Sequence, residues 1–435
     1  MTSWQDLLGQ LALDRPSADA PFSAVPPWLY AAVQRTSREQ EVRLMPWEMQ
    51  HNQQFFRLRI HDQLKQRFDA SGALLSADTN RYSSERYLYD LRPGGAMFHV
   101  APATLLTSLL PDLAAQVGLR FPRAGDPRYP HLWMLVEAAT PFAAIMDDLM
   151  EVYCTPEETA AFIAYIRRTG RAFVAAAEAG APASAVDLSA LPTEGSRFPG
   201  EHFRYYVWLL QCFVAHGHAQ HPADPARRAN TAAWTERFVE AVCVLARGYA
   251  VEHHAYLQAE GPGAFTTEDY LGWRTLTSDM EIAYAVVGLM LNLSIDRAPF
   301  EAHLRADVYK RTEVLTGVFN DLIFLNKDVL HYKHAARLTG LAPQAQRQVD
   351  LLKLRHEVTR GLISRDVMVQ VVDDAIASVQ RVHDACGDAL LDSYALLCLM
   401  MAHACNVWQL TVARYAPYGD TAMVEPLRVR RAALG

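Results

Sequence analysis

The sequence predicts an all-α fold, and three observations carry that expectation. Apolar residues recur at spacings of three and four through most of the chain. No segment sustains the strict alternation of a half-buried strand. The periodic segments, about a dozen of them, are separated by short stretches rich in Pro and Gly, as in a helical bundle.

Taken in order, Pro26-Pro27 before Trp28 marks a helix start, because Pro suits the first turn. A second helix runs from Pro46 to about Phe68 and stops before Ser71-Gly72. Pro93-Gly94-Gly95 then breaks the chain. Residues 1–95 therefore read as an N-terminal helical extension, 96–416 as the main helical domain and 417–435 as a tail. Periodicity resumes over Ala101–Leu119 and again over Pro130–Val152. Thr155-Pro156-Glu157-Glu158 has a capping residue, Pro at the first position and acids in the first turn, and opens a helix to about Glu178. A loop over Gly180–Gly200 leads to a helix over His202–Val214. The polar stretch His216–Pro225 reads as a loop whose histidines are solvated rather than a zinc site, since nothing is spaced to complete one. Helices follow over Thr231–Leu257 and from Thr266-Thr267-Glu268-Asp269. The longest periodic segment covers about 298–336, and further helices span Pro343–Val358, Asp366–Ala385 and Asp388–Arg414.

Composition narrows the functional classes. The 435 residues are 51% hydrophobic and 20% charged, enough apolar material for a sizeable core. A formal net charge of −7 speaks against a nucleic-acid partner, which needs a basic face. The six cysteines, Cys154, Cys212, Cys243, Cys386, Cys398 and Cys405, form no CxxC pair, so a reduced, cytoplasmic chain is expected. Met1-Thr2-Ser3-Trp4 lacks the basic-then-apolar order of a signal peptide. Apolar stretches such as Tyr284–Leu293 fall short of a membrane span.

Two acid-bearing helices stand out. Asp147-Asp148-Leu149-Met150-Glu151 ends the apolar segment Phe142–Met146. Asp147 and Glu151 share a face, and like charges at that spacing near a helix C-terminus repel one another and the dipole. Bound cations would relieve both costs; the alternative is a solvated helix end. The second is Phe319-Asn320-Asp321-Leu322-Ile323-Phe324-Leu325-Asn326-Lys327-Asp328, within the longest helix. Asn320, Phe324 and Asp328 form one stripe at helical pitch. An amide and a carboxylate on an apolar helix need partners, which either a divalent cation or other side chains would supply. Arg274, among apolar neighbours, is read either as the partner of a structural acid or as an anion site.

Together these motifs resemble those of the class I terpene synthases, the microbial sesquiterpene cyclases in particular. Asp147-Asp148-Leu149-Met150-Glu151 is similar to that family's DDxx(D/E) motif. Asn320-Asp321 with Lys327-Asp328 partly matches NDxxSxxxE, with Phe324 in place of the hydroxyl residue and Asp328 in place of the final Glu. Arg274 lies 46 residues before Asn320, in register with the family's diphosphate-sensing arginine, and Arg414-Tyr415 supplies the C-terminal Arg-Tyr pair. The resemblance covers about residues 100–416.

That resemblance implies a single helical bundle around a central cavity. It implies a magnesium-dependent enzyme that ionises an allylic prenyl diphosphate, farnesyl diphosphate foremost, and cyclises the carbocation to a terpene hydrocarbon or alcohol. Three magnesium ions are expected, with manganese as a substitute. Asp147, Asp148 and Glu151 would hold two ions, and Asn320 and Asp328 the third, with water or Asp321 taking the place of the missing hydroxyl. Arg274, Lys327, Arg414 and Tyr415 would bind diphosphate oxygens. Thr277 and Ser278 would occupy a helix break that couples sensing to ionisation. Phe142, Trp273, Phe324 and Trp408 are candidates to line the pocket, with core packing as their alternative. The extension would cap the cavity or form a homodimer contact. Two other readings stay open: a chain-elongating prenyltransferase, and a non-catalytic isoprenoid-binding protein with a decayed metal site.

Overall fold

The computed structural model describes residues 110–121, 142, 143, 146, 156–188, 206, 207, 209–215, 217, 224–335 and 343–411. The side chains of Pro156, Leu352, Arg365 and residues 323–335, 343–349 and 407–411 are not among the described parts. The proposed extension and tail lie outside them, as do Asp147, Asp148, Glu151, Arg414 and Tyr415.

Among the described residues the fold is all-α, without a strand. The principal helices are α1 (Pro156–Ala179), α2 (Pro225–Gln258), α3 (Thr267–Arg274), α4 (Met280–Leu291), α5 (Lys310–Ala335), α6 (Pro343–Leu362), α7 (Arg365–Cys386) and α8 (Ala389–Thr411). Helix α5 is central, packing against α3, α4, α6, α7 and α8, while α2 packs on α1 and α4. Residues 110–116, 142, 143, 146, 206, 207 and 209–215 are also helical. Phe142, Ala143 and Met146, just before the first acidic motif, are buried in the main core.

Helix α2 starts six residues earlier than the periodicity of the sequence suggests. Asp224 caps it, its carboxylate accepting from Ala226 N at 3.0 Å, with Pro225 at the first position. The Asp224-Pro225 end of the stretch that reads as a loop is therefore a helix start.

The longest periodic segment is helical from Arg297 to Ala335, but Phe300–Tyr309 is wound as a π-helix. At about 4.4 residues per turn, an i→i+5 winding returns to the same face after nine residues, where an α-helix would end on the opposite one. Phe300 and Tyr309 are accordingly both buried and meet edge to face at 5.6 Å. Around them Trp234 donates to Leu293 O at 2.8 Å, and Tyr394 donates to Tyr284 O at 2.6 Å while sharing a 3.0 Å hydrogen bond with Tyr309. Each buried polar tip thus has a partner, which burial of such side chains requires.

Helix α8 differs from the sequence expectation in one respect. Its 18-residue window Ala389–Asn406 has the length and composition of a membrane span, but 78% of it is buried by the rest of the fold. Its apolarity is accounted for by packing.

Candidate functional site

The described part of the site is a groove between α2 and α5 that holds α3 and the break after it. Helix α3 begins with a capping box, Thr266 and Asp269 bonding reciprocally. It ends at Arg274, and α4 begins only at Met280. Thr277 and Ser278 lie in this break, which closes on Asp279 in the left-handed region at φ 60°.

One stripe of α2 lines the groove at helical spacing: Gly248, Glu252, Tyr256. Leu276 rests on Gly248 so closely that a Cβ there would come within 2.8 Å of the Leu276 carbonyl oxygen. Glu252 pairs with Arg274 at 3.4 Å. Tyr256 packs against Trp273 at 5.4 Å between ring centroids, and both touch Phe265. Trp273 is thereby part of an aromatic cluster at the end of α2.

The facing stripe belongs to α5: Glu313, Gly317, Asp321. Asp321 Oδ2 accepts from Arg274 Nε at 2.6 Å and from Tyr270 OH at 2.5 Å. A Cβ at Gly317 would sit 2.8 Å from Arg274 Cδ, so the glycine makes room for the arginine to lie along α5. Arg274 Nη1 also donates to Thr277 Oγ1 at 2.9 Å. Burial disfavours the guanidinium charge, but Asp321 and Glu252 more than offset this and hold its pKa well above the ordinary range. Tyr270 is raised in turn, first by burial and then by the Asp321 charge.

Glu313 completes the break. The side chain of Asp279, the residue at the capping position of α4, makes no cap hydrogen bond. Glu313 replaces it from α5, accepting from Glu281 N at 2.5 Å, from Ser278 N at 3.2 Å and from the Ser278 hydroxyl. Burial pushes the Glu313 carboxyl up to about 8, against the pull of its donors, and the Asp279 carboxyl up to about 7.

Of the residues singled out in the sequence, Arg274, Thr277 and Ser278 are brought together here, beside half-buried Asn320 on α5. Phe324, Lys327 and Asp328 continue the same unbroken helix, and Trp408 lies in α8; their side chains are outside the described parts. Phe142 is fully buried and stacks on Tyr206 at 5.9 Å, a packing role. Asp321 Oδ2 accepts from two donors of α3, which ties this acid of the second motif to that helix. Glu252, Tyr270 and Glu313 were not singled out. Their signal was register: each stands one or two turns along a stripe from a glycine or from Arg274.

The donor set expected for magnesium consists of carboxylate and amide oxygens, which suits a hard cation. Among the described residues no three His, Cys, Asp or Glu side chains converge on one point.

No family model matches the sequence, and no curated protein matches it. Similar solved structures include abietadiene synthase from Abies grandis (13% identity, TM-score 0.39), which covers 79% of this chain. Isoprene synthase from grey poplar leaves, Populus x canescens, is similar at 14% identity and TM-score 0.38 over 82% of this chain. So is that enzyme in complex with three Mg2+ ions and dimethylallyl-S-thiolodiphosphate, at 15% identity and TM-score 0.37 over 82% of this chain. The chain spans 42%, 62% and 63% of those three chains respectively. Likenesses this distant say nothing of activity, which the residues of this chain must carry.

Proposed function

We propose that the protein is a magnesium-dependent terpene synthase acting on an allylic prenyl diphosphate, with farnesyl diphosphate as the first substrate to test and cyclisation as the expected outcome. The observation that carries this reading is the seating of Arg274. The arginine placed 46 residues before Asn320 ends α3 immediately ahead of a helix break, and it is bonded to Asp321, the neighbour of Asn320. The ion pair between Arg274 and Asp321 supports reading this arginine as a diphosphate sensor coupled to the second acidic motif.

In that role Arg274 would bind the diphosphate. Its Nε bond to Asp321 is short, whereas its terminal nitrogens make longer bonds, 2.9 Å to Thr277 and 3.4 Å to Glu252. The terminal nitrogens are the ones an anion would recruit, forming charge-assisted bonds while Nε keeps its anchor. Recruitment would loosen Thr277 and so reach the break. Lys327, Arg414 and Tyr415 would supply further donors. Asp147, Asp148, Glu151, Asn320 and Asp328 would hold the magnesium ions, which when bound supply neutralisation of the leaving diphosphate. Phe324 would present a ring instead of a metal ligand.

The test is incubation with geranyl, farnesyl and geranylgeranyl diphosphates, with and without magnesium, following diphosphate release and identifying products. Magnesium-dependent release with a cyclic product supports the proposal. Longer chains on adding isopentenyl diphosphate would make the protein an elongase, and no release with tight isoprenoid binding would make it a binder. Asp147→Asn, which relieves repulsion in the acid cluster, should abolish release while leaving the fold intact.

A further inference from the structure

A second polar site lies in α8, away from the groove. His403 and Asn406 are both fully buried, and none of their four polar side-chain atoms has a partner among the described residues. Buried side-chain polar atoms nearly always find partners, because leaving one without costs its full desolvation. Two such residues, three apart on one helix, mark a place where something else bonds them.

Their position follows from register. Asp392, Leu396, Leu399, His403 and Asn406 are spaced four, three, four and three, a single stripe along α8. Asp392 shows what that stripe faces: its Oδ2 bonds His383 Nδ1 of α7 at 2.7 Å. Helices α7 and α8 are joined through only Gly387 and Asp388, so they run antiparallel as a hairpin. The stripe that continues from His383 toward the start of α7 carries Val379, Ile376, Val372 and Met368, buried and all apolar, while the buried Ser378 beside it donates its hydroxyl to Ala375 O at 2.7 Å. The α7 stripe therefore offers His403 and Asn406 neither donor nor acceptor. Tyr394, which belongs to the tyrosine cluster of the core, lies nine residues before His403 and so on the opposite side of α8.

The chemistry of the pair defines the occupant. An amide gives two donors and an acceptor, and a neutral imidazole gives one of each. Burial pulls the His403 pKa down to about 4, so the ring is uncharged near neutrality. Neither side chain carries a charge near neutrality, so the pair offers an anion no counter-charge, and among the described residues no His, Cys, Asp and Glu group gathers to hold a metal ion. A water molecule can both donate and accept, and commonly bonds about three buried groups.

We propose that His403 and Asn406 form an internal hydration site in the α7–α8 seam, binding ordered water that serves as the polar partner of both side chains.

Two measurements on the full chain test it. A crystal structure at a resolution that shows ordered solvent should reveal water within hydrogen-bond distance of His403 and Asn406; a dry seam there overturns the proposal. Thermal denaturation of Asn406→Leu gives an independent answer. With water bound, the variant removes a partner of that water and its Tm falls by a few degrees. In a dry seam the same change deletes two unpartnered polar atoms, and its Tm rises, which overturns the proposal. Should Asn406→Leu fail to fold, His403→Leu is read the same way, and the crystal structure of the parent decides alone.

Discussion

Asp321 on α5 takes a 2.6 Å hydrogen bond from Arg274 at the end of α3, and Glu252 on α2 flanks the same guanidinium at 3.4 Å. One cation thus ties two helices to the break between α3 and α4. All three side chains are at most 16% exposed, so solvent screens their interaction little.

Arg274→Ala should therefore cost stability as well as activity. It leaves Asp321 and Glu252 buried without their cation, a loss of about 3–5 kcal/mol for a broken buried pair. Urea denaturation of the variant measures this, and an unchanged midpoint would show that the carboxylates find other partners. Arg274→Lys should recover only part of the loss, because an ammonium cannot reproduce the separate bonds made by Nε and the terminal nitrogens.

Stability should fall as pH rises from the acid side toward 8. The Glu313 pKa is raised in the folded chain from 4.5 to about 8, so the folded state binds more protons across that window. Its contribution is complete below pH 4.5 and is lost as pH passes through 8, with a slope approaching about 1.4 kcal/mol per pH unit. Asp279 adds to the same trend below about 7. Urea titrations from pH 5 to 9 should show the slope, and Glu313→Gln should flatten it while keeping one acceptor for Ser278.

Gly317→Ala should be destabilising although alanine is favoured in helices by about 1 kcal/mol. The new methyl would meet Arg274 Cδ at 2.8 Å and push the arginine off α5. The expected net cost is about 1–2 kcal/mol, as for a modest overpacking. Gly288→Ala should cost more, since its methyl would meet the Trp234 ring at 2.2 Å and a ring cannot give way as a flexible chain can. Equal melting temperatures for the two variants would contradict this ranking.

Under the proposed function, Phe324→Ser restores the hydroxyl that the second motif otherwise carries. The magnesium concentration for half-maximal diphosphate release should fall, because a protein ligand replaces water on a cation that commonly keeps several. Loss of about 3 kcal/mol or more in stability with an unchanged magnesium titration would instead assign Phe324 to packing.

Much of the fold could be read from sequence because the boundaries of its helices are written in local chemistry. Pro156, Pro343 and Gly387 act within a residue or two of where they stand, and α1, α6 and α7 begin or end there. What escaped reading depends on winding or on distant partners. The π-helix keeps the composition of an α-helix and differs only in which residues meet. Asp224-Pro225 carries the same residues whether it turns or caps. In the site, Arg274 could be singled out because a charge among apolar neighbours is conspicuous. Glu252 and Glu313 could not, because each sits on a helix with other acids and becomes distinctive only when α2 and α5 close around α3. Asp321 was visible as part of a motif, but its tie to Tyr270 and Arg274 spans about fifty residues, which no local pattern records.

The contact between Leu276 and Gly248 limits how the α3–α4 break can move. Backbone already lies against backbone there, with no side chain on the α2 side to compress. The break cannot advance toward α2. Any residue larger than glycine at 248 would have to push this contact apart, and would displace the segment that carries Arg274 on one side and Ser278 on the other.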